Sequence, residues 1–195
     1  MRRQSEQIQH MTDREVLFHL YLTQGLLLAV AGVASLFLFD WDEWRRLWRL
    51  DLSDVLLYGV GAASLVLAVD FLAMRHLPED WHDDGGVNEK IFRGRSILHL
   101  FFLCGLIAVT EEWLFRGIVQ THWGLWAASV IFAVLHVRYL EKWFLFLMVI
   151  LLSLFLGVLY EQTNSLWVTV TAHFLIDFVL ALHIRLGGET EEERK

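Results

Sequence analysis

Apolar residues fall in long blocks separated by short polar clusters, at roughly 16–39, 55–74, 96–120, 124–137, 143–160 and 166–185. A helix needs about 20 residues to cross ~30 Å of hydrocarbon. The pattern therefore predicts an all-α fold, a polytopic membrane helix bundle of about six transmembrane helices forming a single membrane domain over residues 1–195. The block from Val16 to Phe39 contains no charged residue. It is too long for a signal peptide, and its Asp40-Trp41-Asp42 exit is unlike a small-residue cleavage site. The 124–137 block is the shortest. Six crossings put both termini on one side.

Charge assigns that side. Arg2, Arg3 and Arg14 precede the first block; Arg75, Lys90, Arg93 and Arg95 lie in the second loop; Arg138 and Lys142 lie in the fourth; Arg185, Arg194 and Lys195 follow the last block. The opposite side has only Arg45, Arg46 and Arg49. Cytoplasmic loops are enriched in Lys and Arg, so both termini are expected in the cytoplasm. Composition agrees with a partly lipid solvent: 56% of residues are hydrophobic, against about 45–50% in soluble domains. The net charge of −7 offers no basic footprint for nucleic acid. The single cysteine, Cys104, excludes a disulfide framework and, inside an apolar run, reads as packing.

Between the first two blocks, Trp41, Trp44 and Trp48 alternate with Arg45, Arg46 and Arg49. Tryptophan at helical spacing beside arginine predicts a short helix in the headgroup region. Residues 75–95 hold the one proline, Pro78, and the Gly85-Gly86 pair, and are expected to form a cytoplasmic loop. The charged end from Glu189 to Lys195 is expected to fray.

Ionisable groups inside a membrane span are costly and point to function unless paired. Three clusters qualify. In the third block, Glu112 and Arg116 are four apart and share a helix face, while Glu111 is turned about 100° away. One carboxylate can be neutralised by Arg116 while the other remains available as a base. The pair alone reads equally well as structural. The fourth block ends in Phe132 and His136, also four apart. The last block carries His173 and Asp177 on one face, with only apolar residues between them. Such a pair can fix an imidazole tautomer, donate to an oxyanion, bind a metal, or serve as a polar staple between helices. Together the clusters provide the groups for acid–base hydrolysis. There is no His-Glu-x-x-His helix, no Gly-x-Ser-x-Gly motif and no Walker A loop.

The ordered set Glu111-Glu112-x-x-x-Arg116, Phe132-x-x-x-His136 and His173-x-x-x-Asp177 resembles the signature motifs of the CAAX-prenyl-protease and bacteriocin-processing family (CPBP, also called Abi), glutamic-type intramembrane endopeptidases. The resemblance covers roughly residues 96–180. It implies a catalytic four-helix core within 96–185 and accessory N-terminal spans within 16–74. Glu111 would activate water, His136 would help hold it, and His173 would help form the oxyanion hole. Glu112 and Arg116 would brace the first motif's helix. The family pattern commonly has Asn where this chain has Asp177, which must then be protonated, act through His173, or orient it. The implied substrate is a membrane-associated protein or peptide, cleaved near a C-terminal anchor or sorting signal without a cofactor. Other readings are a metal-dependent variant ligated by Glu111, His136 and His173, a proton-coupled carrier, and a non-catalytic member that binds a partner helix.

Depth along the helices, at 1.5 Å per residue, sets Glu111 about 14 Å and His173 about 10 Å from the non-cytoplasmic ends of their spans. His136 comes out about 20 Å deep, so convergence requires tilt or a late start to the fourth span.

Overall fold

A computed structural model describes residues 10–136, 139–140 and 142–192. Arg2, Arg3, Arg138, Arg194 and Lys195, which entered the charge comparison, lie outside them. The first helix, α1 (Asp13–Leu38), opens on a capping box in which Thr12 accepts from the Glu15 amide and Glu15 reaches back to the Thr12 amide. It buries a narrow stripe of Val16, Gln24, Ala31 and Ser35. Phe18, Leu22, Leu26 and Phe37 are exposed, as lipid-facing positions should be.

The expected short helix forms as α2 (Trp41–Leu47), capped by Asp40 and Glu43. Its tryptophans divide. Trp41 is exposed under Arg45, whereas Trp44 and Trp48 pack edge-on against Trp113, and Trp48 also meets Trp167. The segment thus closes one end of the bundle as well as facing outward. A single turn, α3 (Leu52–Asp54), runs through a π-helical turn (Val55–Gly59) into α4 (Val60–His76).

The 75–95 segment is more ordered than a loop. It contains α5 (Glu79–His82) and α6 (Val87–Phe92). Val87, Ile91 and Phe92 of α6 join Val16, Leu100, Leu103 and Cys104 in one buried cluster. Cys104 is packed there, as its apolar neighbours predicted. Next, α7 (Ile97–Glu112) passes directly into an eight-residue π-helical segment (Trp113–Gln120) and then into α8 (Thr121–Leu135). The bundle is completed by α9 (Trp143–Thr163), which ends at Asn164 in the left-handed region (φ 47°), and by α10 (Leu166–Glu192). Much of the tail from Glu189 is therefore helical.

Among the described residues five helical stretches are long and apolar enough to cross a membrane: Asp13–Leu38, Trp41–His76, Ile97–Leu135, Trp143–Thr163 and Leu166–Gly187. The protein is a multi-pass membrane protein. The stretch Ile97–Leu135 has 39 residues, and a straight helix of that length would reach ~58 Å, nearly twice the hydrocarbon thickness. It instead breaks at Gly124 (φ 83°, ψ 170°), a conformation that side chains disfavour. Beyond Gly124 the chain doubles back: Phe115 and Phe132 would lie ~25 Å apart on a straight helix, yet their rings meet edge-on at 4.9 Å. The expected third and fourth spans are the two limbs of this hairpin.

Close approach of α9 to the hairpin depends on Gly157. A Cβ there would collide with the Leu125 side chain and lie 2.9 Å from Gln120 Oε1. Gln120 Nε2 meanwhile donates to the Gly157 carbonyl at 2.8 Å. Gly157→Val is expected to destabilise the fold by about 1–3 kcal/mol through overpacking, read as a lowered thermal midpoint of the purified protein; an unchanged midpoint would show that α9 can withdraw freely.

Candidate active site

The first motif lies where α7 changes into the π-helical segment, a type of irregularity that recurs at functional sites. Glu112 is fully buried, and Arg116, one turn on, is 1% exposed. Arg116 Nε lies 3.3 Å from Glu112 Oε2, an ion pair by distance whose angle is not that of a hydrogen bond. The guanidinium is held from two further sides: Nη2 donates to the Ser153 carbonyl at 3.0 Å, and the Phe132 ring lies 5.4 Å from Cζ. The spacing argument for this pair is met, with one addition. Glu112 Oε1 also accepts from His173 Nδ1 at 2.9 Å, so the buried carboxylate ties α7 to α10.

That bond fixes the His173 ring. Nδ1 donates to Glu112, and Nε2 faces Asp177 Oδ2 at 3.5 Å, one turn further along α10. Both ring nitrogens are thus flanked by carboxylates, the second contact being the longer and weaker one.

Glu111 is held differently. Its Oε1 accepts from Gln24 Nε2 of α1 at 3.1 Å, while its Oε2 has no hydrogen-bond partner among the described residues. Gln24 is itself buried, and its own Oε1 has no partner among the described residues. A glutamine amid the apolar first block is the signal that could have marked it, because a buried amide needs hydrogen-bond partners. Gln24→Leu is expected to free the Glu111 carboxylate from its one fixed contact and lower catalytic turnover about tenfold, with membrane insertion intact, in a reconstituted cleavage assay. Unchanged turnover would show that the contact does not position Glu111.

His136 sits at the C-terminal cap of α8. Its Nδ1 donates to the Phe132 carbonyl at 2.8 Å, which leaves Nε2 as the acceptor. The ring stacks between Phe132 at 4.3 Å and Tyr139 at 6.4 Å. No hydrogen bond joins Glu111 to His136 or to His173 among the described residues. The hairpin nevertheless brings Glu111 and His136 to one level. From the Phe115–Phe132 contact, one turn inward along each antiparallel limb arrives at Glu111 on one and His136 on the other. The apparent depth mismatch disappears because the first limb runs past residue 120 to Gly124, so Glu111 lies 13 residues before that turn and His136 12 residues after it. No three His, Cys, Asp or Glu side chains among the described residues converge so as to hold a metal ion.

A buried Glu–Arg–His network joining two spans, beside a second carboxylate with one open oxygen, has the character of an enzyme site set within a membrane bundle. The chain belongs to the Rce1-like family of type II CAAX prenyl endopeptidases, part of the CPBP family, whose model matches residues 93–179. That interval contains all three motifs. The chain is also 50% identical over 165 residues to "Uncharacterized protein YpbD" of Bacillus subtilis (strain 168), an alignment covering 84% of this chain and 87% of that protein. No solved structure matches. The family relation supports a CAAX protease-type function within the membrane.

Proposed function

We infer that the protein is a glutamic-type intramembrane endopeptidase that hydrolyses a peptide bond of a membrane-associated protein. The observation that carries this reading is the pairing of an open carboxylate oxygen, Glu111 Oε2, with a histidine at the same level whose Nδ1 is already committed to a carbonyl. A water between Glu111 and His136 Nε2 would give its proton to Glu111 as its oxygen bonds to the scissile carbonyl carbon. The resulting oxyanion would accept a hydrogen bond from the Nε2–H of His173, displacing the weak contact to Asp177. Asp177 would act through His173, favouring the ring form that carries that proton. Collapse of the tetrahedral species breaks the C–N bond, and Glu111 returns its proton to the leaving amine. Glu112 and Arg116 would hold the α7 and α10 groups in register without touching substrate.

The charge distribution supports cytoplasmic termini, and the Bacillus subtilis relative is in keeping with a bacterial cytoplasmic (inner) membrane. Measured from Gly124, Glu111 is about 20 Å along its limb, deeper than the far half, while the cavity beside Asp177 opens among residues 83–89 on the side of the termini. On this reading the substrate approaches from the cytoplasmic side and reaches inward to the bond that is cut. The test compares new protein termini in membranes of cells expressing the unsubstituted protein or Glu111→Gln. A fragment pair formed only with the former identifies the substrate. Identical termini in both would reject the endopeptidase reading.

A further inference from the structure

Between α4, α9 and α10 lies a cavity of about 610 Å³. Its walls are apolar, with Val66, Met74, Met148, Leu152, Ile176 and Leu180 among them. Its mouth is acidic, formed by Asp83, Asp84 and Glu89, with Asp70 on the α4 wall. Among the described residues no Lys or Arg lines it. Asp177 and Tyr139 also line it, and these are the residues that face His173 and stack on His136. The cavity therefore adjoins both histidines of the candidate site.

The rim already accepts an ammonium group. Lys142 Nζ lies 3.3 Å from Asp83 Oδ2, with both side chains more than a third exposed. A pair this exposed contributes little and exchanges readily. The Gly85 amide, aided by Lys142, holds the Asp83 carboxyl below the usual carboxylate range despite partial burial, so it is charged near neutral pH. Asp84 accepts from the Asn88 amide, and Glu89 is 3.5 Å from Arg93. Asp70 and Asp84 face no cation among the described residues.

Charge and shape together select one occupant. We propose that this groove binds the substrate as an apolar peptide segment flanked by lysine or arginine, the apolar part along Met148 and Leu152 and the cations at Asp83 and Asp84. An acyl or prenyl chain would be indifferent to the charge of the rim, and the phosphate of a lipid headgroup would be repelled by it. The inference rests on the peptidase reading for its consequence, but binding can be measured without cleavage.

The test uses the full chain carrying Glu111→Gln in phosphatidylcholine nanodiscs, so that neither turnover nor lipid charge contributes. Two fluorescent peptides share a short leucine–alanine segment; one ends in lysines and its twin in glutamines. The lysine peptide is expected to bind about tenfold more tightly, the combined effect of a few partly exposed ion pairs. Adding Asp83→Asn and Asp84→Asn should cut that preference to about twofold or less while binding of the glutamine twin stays unchanged. Met148→Trp, which fills the groove, should weaken both peptides. Equal binding of the twins, a preference undiminished by the asparagine substitutions, or full binding to Met148→Trp would each overturn the proposal. Failure of the peptidase reading alone would leave all three binding results in place.

Discussion

Glu111→Gln yields a folded, membrane-inserted protein whose peptidase rate falls by at least about a thousandfold, within the range for loss of a general base. The substitution keeps the side chain's size and its capacity to accept from Gln24 Nε2, so packing against α1 is preserved. What it removes is the capacity to take a proton from water. The comparison is made on purified protein in lipid, with thermal unfolding recorded in parallel. A midpoint close to that of the unsubstituted protein together with lost turnover is the expected pair of results. Turnover within a few-fold of normal would mean that another group activates the water.

Arg116→Met has the opposite signature, a large loss of stability from which the loss of activity follows. The guanidinium is 1% exposed and faces a carboxylate that is fully buried. Removing one member of a buried pair strands the other and typically costs about 3–5 kcal/mol. In a chain of this length that corresponds to a thermal midpoint lower by about 10 °C. The doubly substituted Glu112→Gln, Arg116→Met protein is expected to recover part of that loss, since no buried charge is then left unpaired at position 112. It should remain poorly active, because His173 would lose the carboxylate that orients its Nδ1. A double variant no more stable than Arg116→Met would show that the guanidinium acts through Ser153 and Phe132 rather than through its charge.

The parts of this molecule that could be read from sequence are those set by periodicity over a few residues. Block lengths located the spans, and four-residue spacing paired Glu112 with Arg116 and His173 with Asp177. The Asp40 and Glu43 capping box lies in the segment expected to form a short helix. What was not legible depends on long-range approach. Gln24 is 87 residues from Glu111, and only the packing of α1 on α7 brings them together. The contact of His173 with Glu112 likewise joins α10 to α7, and either carboxylate of the first motif could have been its partner on spacing alone. A hydropathy block does not show where a helix breaks: the first limb runs past residue 120 to Gly124, which sets the antiparallel register and makes Glu111 deeper than its block implies, level with His136. The inward-facing tryptophans escaped notice for a related reason. Trp44 and Trp48 look like headgroup anchors until Trp113 and Trp167 are brought beside them. The cavity combines three helices with a loop that hydropathy reads as featureless.

The most direct test of the account is an experimental map of the protein in a lipid nanodisc, at a resolution that shows ordered water. The account predicts one water within hydrogen-bond reach of both Glu111 Oε2 and His136 Nε2, with the His173 ring beside it. A map in which the Glu111 carboxylate points to lipid, or lies too far from His136 for a single water to bridge them, would contradict it.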